Sequence, residues 1–179
     1  IHCLLMMTLY PKIGKLVTMR IIGIDPGIAI TGFGIIEIIN NKPHVVSYGA
    51  ITTPSGIKAS KRLLMIQSNL STILTNYQPT VCSIEKLFFS KNVKTAMQVS
   101  EARGVILCCL EEHSIPYYEY SPTKIKLSIV GNGQAEKKQM QFMTKELLKL
   151  ESVPKPDDTA DALAIAICHH HSHSLESLI

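Results

Sequence analysis

Residues 19–39, MRIIGIDPGIAITGFGIIEII, decide the fold. RIIGID is a short apolar run of strand character, Pro26-Gly27 breaks it, and TGFGIIEIIN follows as a β-branched run after a glycine turn. Beyond the turn at Asn40-Asn41-Lys42-Pro43 a third run, HVVSYGAITT, has the same character. Three strands joined by short turns form a meander, and Asp25 closes the first of them.

Downstream the period changes. Leu63, Ile66, Leu70, Ile73, Leu74 and Tyr77 recur at helical spacing up to a stop at Gln78-Pro79, which implies a crossover helix. TVCSIE then reads as a buried strand ending on Glu85, and residues 92 to about 114 as a long helix containing Ala96, Ala102 and Gly104. PYYEY is a further strand. A short helix near 122 to 130, a turn at Gly131-Asn132-Gly133, a helix from about 134 to 150 and a last helix beginning near Asp157 complete the pass. The order gives an α/β domain with a mixed sheet covered on its faces by helices. In such a sheet the ends of the first strand and of the strand carrying Glu85 can lie side by side. The first turn of a helix starting at Asp157 can reach the same rim.

A chain of 179 residues, 46% of them hydrophobic, can fill one core. Residues 19–170 are expected to form a single domain. Residues 1–18 show neither periodicity nor a capping signal, so Met19 reads as the natural start and the preceding segment as a non-native or upstream extension. Residues 171–179 read as a His-rich tail. No apolar run approaches the roughly 18 residues a membrane span needs, which with the missing signal peptide gives the expectation of a soluble, cytoplasmic protein. Cys3, Cys82, Cys108, Cys109 and Cys168 form no CxxC pair, in keeping with a reducing compartment.

Four carboxylates stand where these elements converge: Asp25 in GIDPG, Glu85 in CSIEKLFF, and Asp158 and Asp161 in DDTADALAIA. Acids without His or Cys partners suit hard divalent cations such as Mg²⁺, which keeps water and substrate phosphate among its ligands. Each acid also has an ordinary reading. Asp before Pro-Gly initiates turns, Glu85 can meet solvent at a strand end, and Asp157 and Asp158 can cap a helix or favour its dipole. Asp161 is harder to explain that way, because it lies among alanines in an otherwise apolar helix, where a lone buried carboxylate is costly. Spacing sets Asp161 on one face with either Asp157 or Asp158 and does not choose between them. Residues 120–155 hold seven lysines against three acids, a surplus equal to the net charge of the whole chain, +4. Such a region beside an acidic metal site suits a polyanion, and equally a solvated helix face.

Four pieces in order and spacing, MRIIGIDPGIAITGFGII, SIEKLFFSKNVKTAMQVSEARG, YSPTKIKLSIVGNGQAEKKQM and PDDTADALAIAICH, resemble the bacterial RuvC family of Holliday junction resolvases. The likeness covers residues 19 to 169. It implies a ribonuclease H-like fold, with Asp25, Glu85, Asp158 and Asp161 as catalytic, metal-binding acids and Asp157 in a capping or supporting place. The implied chemistry is phosphodiester hydrolysis by two Mg²⁺ ions about 4 Å apart, with Mn²⁺ able to substitute. The implied substrate is four-way junction DNA, cut by paired symmetric nicks in recombination and repair. By the same resemblance Lys126 and Lys137 hold phosphates near the site, Lys86, Lys91, Lys94 and Lys124 widen the track, and Phe88, followed by Phe89, stacks on an unpaired base. The helix with Ala96, Met97, Arg103 and Gly104 resembles the family's dimer helix, and a two-fold homodimer matches the symmetry of an open junction. A branch-migration motor complex is the further partner implied. Two rival functions are a ribonuclease H-like nuclease on other nucleic acids and a catalytically silent junction scaffold, for which four acids have no purpose.

Three motifs are discounted. Gly131-Asn132-Gly133 lacks the GK[ST] of a nucleotide-binding loop. The run from Cys168 to His173 reads as a frayed helix end without a functional metal, and Cys108-Cys109 as helix packing.

Overall fold

A computed structural model of the chain describes residues 19–87 and 93–176. The strands β1 (Met19–Asp25), β2 (Ile30–Ile39) and β3 (Lys42–Thr52) form the expected meander. Helix α1 (Ala59–Tyr77) crosses to β4 (Val81–Glu85), and helix α2 (Val93–Glu112) crosses to β5 (Tyr117–Tyr120). Helices α3 (Pro122–Val130), α4 (Lys137–Leu147) and α5 (Asp157–Glu176) follow. The sheet order is β3-β2-β1-β4-β5, with β2 and β3 antiparallel to their neighbours and β4 and β5 parallel to β1 and β4. This is the mixed sheet that the order of elements predicts.

β1 is central and has no polar alternation because both faces of the sheet are covered. Ile22 and Ile24 point to the side packed by α1 and α2, where they meet Ile66, Leu70, Leu74, Ile106 and Leu110. Ile21 points to the other side, against Leu163, Ala164 and Ile167 of α5 and Ile125 and Ile129 of α3. Each fully buried isoleucine contributes about 1.5–3 kcal/mol. Because side chains alternate, Ile21, Gly23 and Asp25 share the α5 face.

On that face the backbones come very close. A Cβ added to Gly23 would lie 2.0 Å from the Ala162 carbonyl oxygen, and one added to Gly32 would lie 2.0 Å from the Asp158 carbonyl oxygen. A Cβ on Gly34 would run into Leu163. Gly23 pairs with Gly34 and Asp25 with Gly32 across the β1–β2 ladder, so the glycines form one groove. The small residues Ala160, Ala162 and Ala166 of α5 are buried at this side of the sheet.

Helix ends follow local chemistry. Ser121 caps α3 by accepting the Lys124 N–H at 3.2 Å, Pro122 supplies a preset first turn, and Gly131 takes a left-handed φ of 77° after the last turn. The glycine turn therefore separates two helices, as expected. The helices α2 and α4 are somewhat shorter than the periodicity suggests. The frayed end expected from Cys168 onward is not observed: α5 runs through to Glu176, and His169, His170 and Ser172 are buried. The Tyr120 hydroxyl lies 2.8 Å from His169 Nδ1, and burial, with lesser effects from His173 and His170, lowers the His169 pKa to about 4. His169 and His170, whose pKa values burial lowers, act as neutral packing residues on a helix that has a sheet edge to lie against. Residues 1–18, with the boundary at Met19, lie outside the described residues.

The glycine groove makes a prediction. Gly32→Ala forces α5 away from β2 at Asp158, and we expect a loss of roughly 2–4 kcal/mol in denaturant unfolding, whereas Gly56→Ala, where the added Cβ meets nothing within 4 Å, stays near neutral.

Candidate active site

The register and the face decide what meets at the rim. β1 and β4 pair in parallel from Ile21 opposite Val81 to Ile24 opposite Ile84, and the next step sets Asp25 beside Glu85. Val81 packs on the α5 side with Ile21, so Ser83 and Glu85, two and four residues on, share that side. α5 begins at Asp157, and its first turn lies against Gly32, the ladder partner of Asp25. Asp25, Glu85, Asp158 and Asp161 are thereby gathered at one end of the sheet, although each comes from a different element or turn.

Their electrostatics show the closeness. Burial, then the charges of Glu85, Asp161 and Asp158, raise the Asp25 pKa from 3.8 to about 8, against a smaller opposing pull from Lys137. Glu85 is raised by burial and by Asp161, and Lys126 pulls it back. Asp161 is raised by burial, with Lys137 opposing. Asp25, Glu85 and Asp161, half-buried and biased toward their protonated forms, make with Asp158 an all-oxygen set short of positive charge. This donor set and this deficit fit a hard divalent cation.

Lys137 supplies part of what is missing. The Gln139 side-chain oxygen accepts the Glu136 N–H at 3.0 Å and fixes the first turn of α4, where Lys137 stands. Its Nζ is 3.2 Å from Asp157 Oδ2 and 3.4 Å from Asp161 Oδ2. Burial works against the ammonium, but Asp161 and Asp157 outweigh it and its pKa rises. Asp157, set aside on sequence as a capping or supporting residue, thus joins the site through Lys137. Lys126, also placed near the acids on sequence, acts on Glu85 from α3. Phe88, Phe89 and Lys91 lie outside the described residues.

Two threonines that the sequence reading did not single out hold the loop behind Asp25. Thr31 Oγ1 donates to the Gly27 carbonyl at 2.6 Å. Thr53 donates through its N–H to the Ala29 carbonyl at 3.0 Å and through Oγ1 to the Ile28 carbonyl at 2.5 Å. A threonine just past a strand end gives no signal in a sequence, because its partner lies 25 residues away.

A second potential metal-holding group, Cys109, Glu112 and His113, has ligand atoms within 4.8 Å of one another. It occupies the C-terminal end of α2. His113 is engaged there by Ser71 Oγ at 3.1 Å and by the Cys109 carbonyl at 2.9 Å. Among the described residues no helix is long and apolar enough to cross a membrane.

The family model described as "Crossover junction endodeoxyribonuclease RuvC" matches residues 21–169. The chain belongs to the RuvC family. It is 50% identical over 161 residues to the crossover junction endodeoxyribonuclease RuvC of Clostridioides difficile, covering 90% of this chain and 95% of that protein. Against the protein of the same name from Caldicellulosiruptor saccharolyticus the identity is 53% over 157 residues, covering 87% and 95%. Among solved structures, Thermus thermophilus RuvC in complex with Holliday junction substrate superposes with a TM-score of 0.84 at 29% identity, covering 89% of this chain and 97% of that one. The RuvC-like architecture is ribonuclease H-like, the fold class that the sequence pieces imply.

The raised Asp25 pKa has a consequence for stability. Between the unfolded value of 3.8 and the folded value of about 8, the folded protein holds a proton that the unfolded chain has released. Stability therefore falls as pH rises through that interval. In chelator, Tm is expected to drop between pH 5 and pH 8, added Mg²⁺ to recover more of it at pH 8 than at pH 5, and Asp25→Asn to flatten the profile and raise Tm at pH 8 by roughly 5 °C. A calorimetric pH series with each protein checks this.

Proposed function

We propose that this chain is a Mg²⁺-dependent endonuclease that resolves four-way DNA junctions by paired, symmetric nicks. The observation that carries the proposal is the gathering of Asp25, Glu85, Asp158 and Asp161 at one rim with Asp25 driven to a pKa of about 8, in a chain of the RuvC family. Crowded acids with raised pKa values and only oxygen donors suit a hard cation.

Asp25, Glu85, Asp158 and Asp161 are the residues that would hold two Mg²⁺ ions, with Asp25 the most strongly perturbed of the set. Bound there, the metal supplies neutralisation of the phosphate and a more acidic water. The protein's own residues do the rest. Asp25 gives up its proton at the central position. Burial of Glu85 and Asp161 keeps bulk water from diluting their fields. Lys137 is already drawn to the carboxylates and, with Lys126, can turn its ammonium to a DNA phosphate once cations satisfy the acids. Phe88, three residues after Glu85, is assigned to stacking on a base at the crossover.

A two-fold dimer gives two such sites of opposite polarity. Helix α2 supports this role: Met97 is 62% exposed, and Gly104 has open space where a Cβ would be. Arg103, on the same helix, is tied internally to Glu119. The homodimer and a branch-migration motor are the protein partners that family membership suggests. The site of action is the compartment that holds the DNA.

A mobile four-way junction, a linear duplex and an RNA–DNA hybrid of matched sequence, each with Mg²⁺ or chelator, test the function. Symmetric Mg²⁺-dependent nicks on the junction alone are expected; cutting of hybrid or linear DNA makes it a general nuclease, and binding without cutting makes it a scaffold. Asp25→Asn should keep junction binding and abolish cutting. Phe88→Ala should slow cutting more than it weakens binding. Analytical ultracentrifugation should show a dimer at micromolar concentration, and a monomer there removes the two-site scheme.

A further inference from the structure

On the side of the rim opposite α5, an arginine is tied to the loop that follows Asp25. Ile30 pairs with Thr52 at the end of the β2–β3 ladder, so Thr53 and the start of α1 lie at the same end of the sheet as Asp25. Arg62, in the first turns of α1, donates Nε–H to Thr53 Oγ1 at 2.8 Å. Arginine can only donate, so the Thr53 hydroxyl accepts from Arg62 and spends its own proton on the Ile28 carbonyl at 2.5 Å. The relay therefore runs one way, from guanidinium to hydroxyl to the backbone three residues after Asp25.

Arg62 is also short of an anion. It is half-buried, and among the described residues no carboxylate lies within ion-pair distance of it. Its surroundings deepen the deficit. The first turn of α1 has no acid, and Lys58 and Lys61 stand beside Arg62. Cations at a helix N-terminus oppose the dipole. A planar donor fork with two terminal nitrogens left over is suited to a phosphodiester.

Lys126 and Lys137 serve the α5 side of the acids.

We propose that Arg62 binds a backbone phosphate of the nucleic-acid strand entering the carboxylate rim, and that its relay through Thr53 to Ile28 couples that contact to the placement of the Asp25 loop. This rests on the reading of the rim as a phosphodiester-cleaving site. Arg62 touches the substrate phosphate, and Thr53 is a positioning residue.

The test uses the full chain and variants R62Q, R62K, T53V and R62Q/T53V, with folding checked by circular dichroism. Junction affinity is measured against salt in chelator, where no cutting occurs, and cutting rate at saturating junction is measured against Mg²⁺ concentration. R62Q is expected to bind about tenfold more weakly, with a log–log salt slope smaller by about one. R62K should keep the slope, but a single ammonium lacks the rigid fork that reaches Thr53 and the phosphate from separate nitrogens, so it should cut several-fold more slowly at saturating junction. T53V should leave the slope unchanged, slow cutting at saturating junction and need more Mg²⁺ for half-maximal rate. The double variant should cut no more slowly than R62Q, as expected for one relay.

Wild-type affinity and slope in R62Q overturn the phosphate contact, and a wild-type rate and Mg²⁺ profile in T53V overturn the coupling. Should R62Q fail to fold, an unchanged cutting rate in R62K overturns the proposal. If the unmodified protein cuts no junction, the nuclease reading fails separately, while the salt slope of R62Q still decides whether Arg62 meets a phosphate.

Discussion

Close backbone contact between α5 and the groove lined by Gly23, Gly32 and Gly34 is the constraint on which the site depends. A helix packed on a sheet through ordinary side chains is held off by their bulk. Here the carbonyl oxygens of Asp158 and Ala162 occupy the places where Cβ atoms of β2 and β1 would be. Only glycine permits that approach, and the buried Ala160, Ala162 and Ala166 are small enough to belong at such a contact. The approach sets the first turn of α5 against the ends of β1 and β4. Without it, Asp158 and Asp161 would stand too far from Asp25 for their charges to raise its pKa.

Gathering the acids has an electrostatic cost, and the arrangement meets it in two ways. Asp25 keeps its proton up to about pH 8 in the absence of a cation, because burial and three neighbouring carboxylates disfavour its charge. Lys137 also reaches in from α4 and pairs with Asp157 and Asp161. On the proposed function, a cation held by these acids would take the place of that proton and weaken the hold on Lys137, freeing its ammonium for a substrate phosphate. Asp157 shares in that exchange although it is more exposed than Asp161.

The two faces of the sheet serve the rim differently. The α5 face brings two of the acids and, through α3 and α4, the lysines that act on them. The α1 face brings no acid. It brings a hydrogen-bonded chain from Arg62 through Thr53 to the loop behind Asp25, with a guanidinium that lacks a carboxylate. The loop behind Asp25 is thus held between an acidic face and a basic contact. A polyanionic strand crossing the rim would touch both.

The meander, the crossover helices, the mixed sheet and the last helix at Asp157 were legible in the sequence because they rest on local periodicity and on Gly, Pro and Asn turns. So was Asp161, an acid among alanines that local structure does not explain, whereas Asp25 and Glu85 also had ordinary readings at a turn and a strand end and stood out only through the resemblance. What periodicity left open was which of Asp157 and Asp158 joins the acids. The structure gives both a part: Asp158 adds its charge to that felt by Asp25, and Asp157 pairs with Lys137. The continuation of α5 through the His-rich run was also hidden, because His169 is buried against Tyr120, which is 49 residues away in the chain. Thr53 and Arg62 were equally silent, since a hydroxyl and a guanidinium gain a role only from partners brought near by the strand register. The sequence by itself determined which segments are strands and helices and which acids are candidates for the chemistry. Tertiary structure alone decided how close those residues come, because distance and burial, which set pKa values and cation affinity, arise from the packing of α5 into a groove made by glycines on two different strands.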